Sequence, residues 1–214
     1  MKLHYETVSR SLLDCLQKLM ANEAFNDFVL VGGTALSLQL GHRISVDIDL
    51  FTENQYGSMN LTEIKNALSN TFSYIDDLEK LSERNLGYTV FIGNSQTECV
   101  KLDLFYTEKF IKPIINQDGL RIASLPDIIA MKMAAIVNSK RKKDFWDLHE
   151  LLEYFTLEEM IRYGLQRNPY SLNRDDIINS LSNASELTQD NVINCLKGKY
   201  WELIVDDFKC LSLP

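Results

Sequence analysis

No two cysteines stand close enough to suggest a shared metal or a cross-link: Cys15, Cys99, Cys195 and Cys210 are widely separated and form no CxxC pair. That spacing argues against a zinc knuckle and a disulfide framework, and for a reducing, cytoplasmic setting. The N-terminal MKLHYETVSR lacks the apolar core of an export signal, and no run approaches the length of a membrane span. Basic charge is also short. With 22 Lys and Arg against 30 Asp and Glu the net charge is −8, which excludes a uniformly basic nucleic-acid binder but leaves room for a local patch. There is no internal repeat, no Gly-Lys-Ser/Thr after a glycine turn as in a P-loop, and no set of nucleophile, base and orienting residue. What is present is an ordinary globular composition, 45% hydrophobic and 24% charged over 214 residues. That is enough for one elaborate domain or two small ones.

The chain is organised around VLVGGTALSLQLGHRISVDIDLFT, Val29 to Thr52. Phe28 to Val31 is a short apolar run of buried-strand character, broken at Gly32-Gly33-Thr34. A helical segment, Ala35 to Leu40, follows and stops at Gly41. In Val46 to Phe51 the alternation is sharp: Asp47, Asp49 and Phe51 face one way, Val46, Ile48 and Leu50 the other. The two carboxylates lie about 7 Å apart along one strand face. Unneutralised they repel, and a divalent cation is the simplest agent that makes the pairing favourable.

The flanking segments supply the frame. Tyr5 to Asn22 carries apolar residues at helical period, from Val8 to Met20, and predicts an amphipathic helix on the back of a sheet. Asn60 with Glu63 marks a helix start; the type of Phe72 to Ser82 is open. Leu86 to Ile92 and Cys99 to Tyr106 predict an antiparallel hairpin joined at Gly93-Asn94-Ser95-Gln96. Its second arm repeats the alternation, with Lys101, Asp103 and Phe105 on one face, so Asp103 joins Asp47 and Asp49 if the strands are neighbours. Arg121 to Ala123 reads as a short strand. Ser124-Leu125-Pro126-Asp127 opens a helix to about Asn138. Within that helix Lys132 falls in the apolar stripe, where it must snorkel out or meet an anion. Lys140 to Lys143 precedes a helix from Asp144 through Phe155; helices follow over Leu157 to Leu165, Arg174 to Leu181 and about Thr188 to Phe208. These readings divide the chain into an α/β part, 1–120, and a helical part, 121–214, with the boundary near Gly119.

Asp47-x-Asp49 with a third strand Asp is the strongest chemical signal. Hard oxygen ligands suit Mg²⁺, and in phosphoryl or nucleotidyl transfer such a cluster holds two ions, one at the attacking oxygen and one at the departing pyrophosphate. The glycine turn reads either as a plain strand-to-helix connection or as a place where a triphosphate approaches backbone N–H groups with the Thr34 hydroxyl as an extra donor. His42 and Arg43, just before the Asp pair, are ligand candidates. Lys132 is either a surface lysine or a point charge on phosphate, Asp144 either a helix first-turn acid or part of the site, and Lys140 to Lys143 either a solvated loop or a contact for RNA phosphates or an acidic protein.

Taken in order, Gly-Gly-Thr, Asp-x-Asp, the third Asp and the later Lys…Lys-Asp-x-x-Asp-Leu resemble the AbiEii/AbiGii-type nucleotidyltransferases of the DNA polymerase β-like superfamily. GGTALSLQLGHRISVDIDLF, VKLDLFY and LPDIIAMKMAAIVNSKRKKDFWDLHELL carry the resemblance, over roughly residues 28 to 155. It implies an α+β fold: a nucleotidyltransferase-like mixed β-sheet with flanking helices, then a helical domain contributing Lys132 and Asp144 to the cleft. It further implies the toxin of a bacterial toxin–antitoxin or phage-defence system, beside a winged-helix antitoxin, with some members adding nucleotides to tRNA 3′ ends. Carried over, Gly32, Gly33, Thr34 and Arg43 with Lys132 bind the NTP, Asp47, Asp49 and Asp103 hold Mg²⁺, and Lys132 and Asp144 assist. One departure is Lys143, where an arginine often precedes the later Asp. Two rivals stay open: the same chemistry on a small molecule or protein side chain, and a non-catalytic nucleotide- or partner-binding module.

Overall fold

The structure, a computed structural model, describes residues 2–80, 87–187 and 192–212. The chain forms two compact units, Met1–Leu40 with Ser45–Ala123, and Gly41–Ile44 with Ser124–Pro214. The first is α/β and the second helical.

The α/β unit holds a mixed sheet of seven strands among the described residues: β1 (Val29–Leu30), β2 (Asp47–Thr52), β3 (Tyr74–Ile75), β4 (Gly87–Ser95), β5 (Glu98–Tyr106), β6 (Ile115–Gln117) and β7 (Leu120–Ile122). Their order is β3-β4-β5-β2-β1-β7-β6. The predicted hairpin is β4 and β5, antiparallel with an irregularity between Gly93 and Ser95. Leu86, assigned to its first arm from the sequence, lies outside the described residues. β2 runs parallel to β5 in the register Asp47 to Lys101, Asp49 to Asp103 and Phe51 to Phe105. Ile48, Leu50, Leu102 and Leu104 are fully buried, while the residues between them are half-exposed. Helix α1 (Arg10–Ala21), capped by Ser9, lies against β2, β4, β5 and β7. Its stripe of Leu12, Leu16 and Leu19 therefore covers the apolar sheet face, each such side chain contributing about 1.5–3 kcal/mol. The acidic face is the other one.

Two further helices belong to this unit, α2 (Gly32–Leu40) and α3 (Leu61–Thr71), the latter capped by Asn60 as its spacing to Glu63 requires. Gly119 lies just before the division of the chain. With Asp118 it has positive φ, 53° and 79°, and makes the two-residue turn of the β6–β7 hairpin; the division falls after Ala123. From β7, Arg121 donates to the carbonyls of Phe28, Met20 and Phe25 at 3.0, 3.0 and 2.8 Å. This one guanidinium ties the ends of α1 and β1 to β7. Arg121→Met should lower stability by about 2–3 kcal/mol, read as a shifted urea midpoint at unchanged slope; a loss under about 0.5 kcal/mol would mean that water serves those carbonyls as well.

In the helical unit, α4 (Leu125–Asn138) packs against α5 (Lys142–Leu151), α6 (Leu157–Arg167) and α7 (Arg174–Ser182), and α8 (Trp201–Ser212) packs on α5 and α7. The Ser124 hydroxyl accepts from Asp127 N–H, as the cap pattern requires. The last helix is shorter than its periodicity suggests. Thr188 lies outside the described residues, and 192–200 is not helical because Leu196 N–H donates to His42 O and Ile44 N–H to Asn194 O, drawing the segment out beside Gly41–Ile44. Gly198, with φ 66°, precedes the start of α8 at Trp201. No helix among the described residues is long and apolar enough to cross a membrane.

Candidate functional site

Asp47, Asp49 and Asp103 lie on one face of the α/β sheet. Strand alternation places Asp47 and Asp49 together, and the parallel register sets Asp103 directly beside Asp49. All three are half-buried, a setting in which like charges repel more strongly than in open water. They do not close round a common point: among the described residues no three acidic, His or Cys side chains are gathered so as to hold a metal. The reason is visible at Asp103. Its Oδ1 accepts from Thr89 Oγ1 at 2.6 Å, and its Oδ2 accepts from Lys101 Nζ at 2.5 Å. A cation of the chain's own occupies the acidic face.

Gly32 shapes the neighbouring edge. Its φ is 69°, and a Cβ there would overlap the Asp49 carboxylate, with Asp49 Cγ only 3.0 Å away. Val31 N–H donates to Asp49 O at 2.9 Å, so strand and glycine are pinned at this separation. The sequence places a loop at Gly32-Gly33-Thr34, but α2 already begins at Gly32. The N–H groups of that first turn lack intrahelical partners and point out of the helix start. Thr34 does not join them. It is fully buried, donating its hydroxyl to Asp47 O with Ser45 Oγ at 2.9 Å. It fastens α2 to the strand carrying the acids.

Two aromatic side chains continue the acidic face one pleat on. Phe51 and Phe105 are register partners with ring centroids 5.7 Å apart, and on β4 Gly87 opposes Phe105, where any Cβ would strike the ring.

The remaining predicted residues meet in the helical unit, in a buried ion network centred on Asp147. Arg43 Nε and Nη2 donate to its two oxygens at 2.6 and 2.9 Å, His42 Nε2 lies 2.8 Å from Oδ1, and Lys132 Nζ pairs with Oδ2 at 2.6 Å. Lys132 also donates to Asp144 at 2.6 Å, whose second oxygen accepts from Arg141 at 2.8 Å. Burial works to raise the Asp147 carboxyl, but the charges of Arg43 and Lys132 and the hydrogen bonds from Arg43 and His42 outweigh it and hold it well below the usual range. Asp144 is lowered on the same terms, burial being outweighed by Lys132 and Arg141. Burial alone would lower Lys132; Asp147 and Asp144 turn the balance and raise it.

This network shows what two of the candidate residues touch. Arg43, read as a triphosphate contact, is 6% exposed and spends its planar fork on Asp147. Lys132, read as a point charge on phosphate, meets carboxylates instead. Nor is the basic run a free cationic loop, since Arg141 holds Asp144 and Lys142 lies over the Trp201 ring at 5.4 Å. Sequence reasoning gave no role to Asp147, although its spacing from Asp144 puts both on one side of α5. Lys101 was likewise assigned a face but no task.

The family described as "Nucleotidyl transferase AbiEii toxin, Type IV TA system" matches residues 14–199. The chain is 29% identical over 209 residues to an uncharacterized protein of Aquifex aeolicus (strain VF5), spanning 92% of this chain and 91% of that one. Among solved structures it resembles JHP933 from Helicobacter pylori, at 18% identity and TM-score 0.57 over 95% of this chain and 88% of that one. It also resembles MenT4, a nucleotidyltransferase toxin of Mycobacterium tuberculosis H37Rv, at 15% identity and TM-score 0.54 over 94% and 82%. At such identities the structural likeness is one of fold.

Proposed function

Since the chain belongs to the AbiEii nucleotidyl transferase toxin family of Type IV toxin–antitoxin systems, and so is a nucleotidyltransferase, we propose that it moves NMP from an NTP to a hydroxyl of RNA, the tRNA 3′ end above all, with Mg²⁺ bound at the acidic sheet face. The observation that carries this reading is the register of β2 on β5, which sets Asp49 beside Asp103 with Asp47 on the same face. The chemistry of the donors suits the ion, hard carboxylate oxygens on a face that pairs with an ammonium, and a bound ion would draw together acids that do not meet at one point in this structure. When bound, the ions would activate the attacking oxygen and steady the departing pyrophosphate. Asp47, Asp49 and Asp103 supply the ligand oxygens. Gly32 and Gly33 keep the start of α2 open to a triphosphate, whose negative charge suits a helix N-terminus. Thr34 and Ser45 act at one remove by locking the start of α2 to β2. In the helical unit Asp147, Asp144 and Lys132 form a positioning network that holds His42 and Arg43, the residues leading along the chain into β2. The toxin reading brings an antitoxin partner, for which a winged-helix protein is the expectation, and a cytoplasmic place of action.

Purified protein given each labelled NTP, Mg²⁺ and total tRNA should label the tRNA 3′ end, and Asp49→Asn should reduce the rate by at least about 10²-fold, the scale of losing a group that stabilises transition-state charge. No label on RNA with any NTP, or an Asp49→Asn variant as fast as wild type, would overturn the proposal. The net charge of −8 favours a second reading, in which the acceptor is a small molecule or a protein side chain, because tRNA needs a cationic track. Label found in protein or in a small-molecule fraction, with RNA unlabelled, would select it.

A further inference from the structure

Lys101 lies on the acidic face, and the transfer reaction as described gives it no task. It lies on β5 two residues before Asp103, on the same side of the strand, and its register partner on β2 is Asp47. Its ammonium rests on Asp103 Oδ2 at 2.5 Å while Thr89 holds Oδ1, so both oxygens of the third carboxylate are engaged. The Lys101 side chain is 35% exposed, against 13% for Asp103. The ammonium is thus more open to solvent than the carboxylate it pairs with.

A surface ion pair on a strand ordinarily contributes little and has no reason to choose this carboxylate. Here the ammonium is a compact cation with three donors, placed where a divalent ion would need the same oxygen. A divalent ion at Asp103 Oδ2 would repel the ammonium already there and compete with it for the oxygen's lone pairs. Resting on the reading of this face as the metal and nucleotide site, we propose that Lys101 is an exchange residue: its ammonium neutralises the acids until metal and nucleotide arrive, then leaves Asp103 and pairs with a phosphate oxygen of the bound nucleotide. The exchange makes tight metal binding conditional on nucleotide, because only a phosphate offers the displaced ammonium a new anion. No covalent bond is made or broken in it.

The test is Mn²⁺ binding followed by electron paramagnetic resonance, with and without a non-hydrolysable NTP analogue, for wild type, Lys101→Met and Asp49→Asn. Without nucleotide, Lys101→Met should bind Mn²⁺ about 10-fold more tightly than wild type, the size expected for removing one charge-assisted competitor. The gain should persist in 0.5 M KCl, since direct competition for an oxygen is not screened as a through-space charge effect is. With the analogue present the order should reverse, Lys101→Met binding it about 10-fold less tightly. Equal Mn²⁺ affinities, a gain that vanishes at high salt, or undiminished analogue binding would each overturn the role of Lys101 while leaving the metal site intact. If neither wild type nor Lys101→Met binds Mn²⁺ in any mixture, or if Asp49→Asn binds it as well as wild type, the metal reading of the face fails and this proposal with it.

Discussion

Replacing Asp147 with alanine is expected to cost about 3–5 kcal/mol of stability, because it takes a carboxylate from two buried cations, Arg43 and Lys132. Arg43 loses its two bonds to Asp147, and Lys132 loses one of its two carboxylates while keeping Asp144. The loss should appear as a lower urea midpoint. Adding Arg43→Met to Asp147→Ala should restore part of it, since a buried charge without a partner costs more than an apolar residue of similar size. A loss below about 1 kcal/mol, or no coupling between the two substitutions, would show that the network is well solvated and not the clamp on Gly41–Ile44 inferred from its geometry.

The same network fixes the direction of the pH dependence. The folded Asp147 and Asp144 carboxyls are held below their ordinary value, so their contribution is present above the unfolded carboxyl pKa of about 3.9 and is lost as the pH falls through the lower folded values. Lys132 is raised, so its contribution is present below the unfolded ammonium pKa of about 10.4 and is lost as the pH rises through the higher folded value. Between those limits the network is fully formed. The stability gap between wild type and Asp147→Ala should accordingly be flat near neutrality and narrow below about pH 4.

The elements that carry the acids were legible because their signals are local. Alternation in β2 and β5 requires only neighbouring residues to be read together, and it gives the face of Asp47, Asp49, Lys101 and Asp103 directly. Helix starts at Asn60, Ser124, Thr156 and Asn173 are short-range hydrogen bonds of the same kind. The β6–β7 hairpin escaped because its strands, Ile115–Gln117 and Leu120–Ile122, are too short for alternation to show; only Asp118-Gly119, good turn chemistry for a hairpin, announces it. The contacts of Arg43, Lys132 and Thr34 were hidden for another reason. A cation near an acid motif reads as a ligand contact when its true partner, Asp147 for Arg43, is 104 residues away. Thr34 reads as an exposed turn hydroxyl unless the chain is known to return at Ser45 and Asp47. Family resemblance did contain the missing Asp147, in the second acid of Lys-Asp-x-x-Asp-Leu, but resemblance names a position without saying what it touches.

Gly32→Ala should abolish nucleotide transfer while leaving a folded protein. Its effect separates into two parts. A residue with a Cβ at φ 69° costs about 1–2 kcal/mol whatever surrounds it, which for a chain of this size lowers the midpoint of thermal unfolding by about 2–8 °C. The second part is displacement: the new methyl would occupy the place of the Asp49 carboxylate, and the Val31 to Asp49 backbone hydrogen bond prevents β2 from backing away. Asp49 must rotate off the shared face, taking a ligand oxygen from beside Asp103. Gly57 provides the control, since its φ is 82° and a Cβ there meets nothing within 4 Å. Gly57→Ala should show a comparable loss of thermal stability with transfer unchanged, whereas Gly32→Ala should lose at least about 10²-fold in rate and lose Mn²⁺ binding with it. If Gly32→Ala retains transfer within about threefold of wild type, or if Gly57→Ala impairs it equally, the close approach of Asp49 to the start of α2 is not what the reaction uses, and the acidic face would have to work through Asp47 and Asp103 alone.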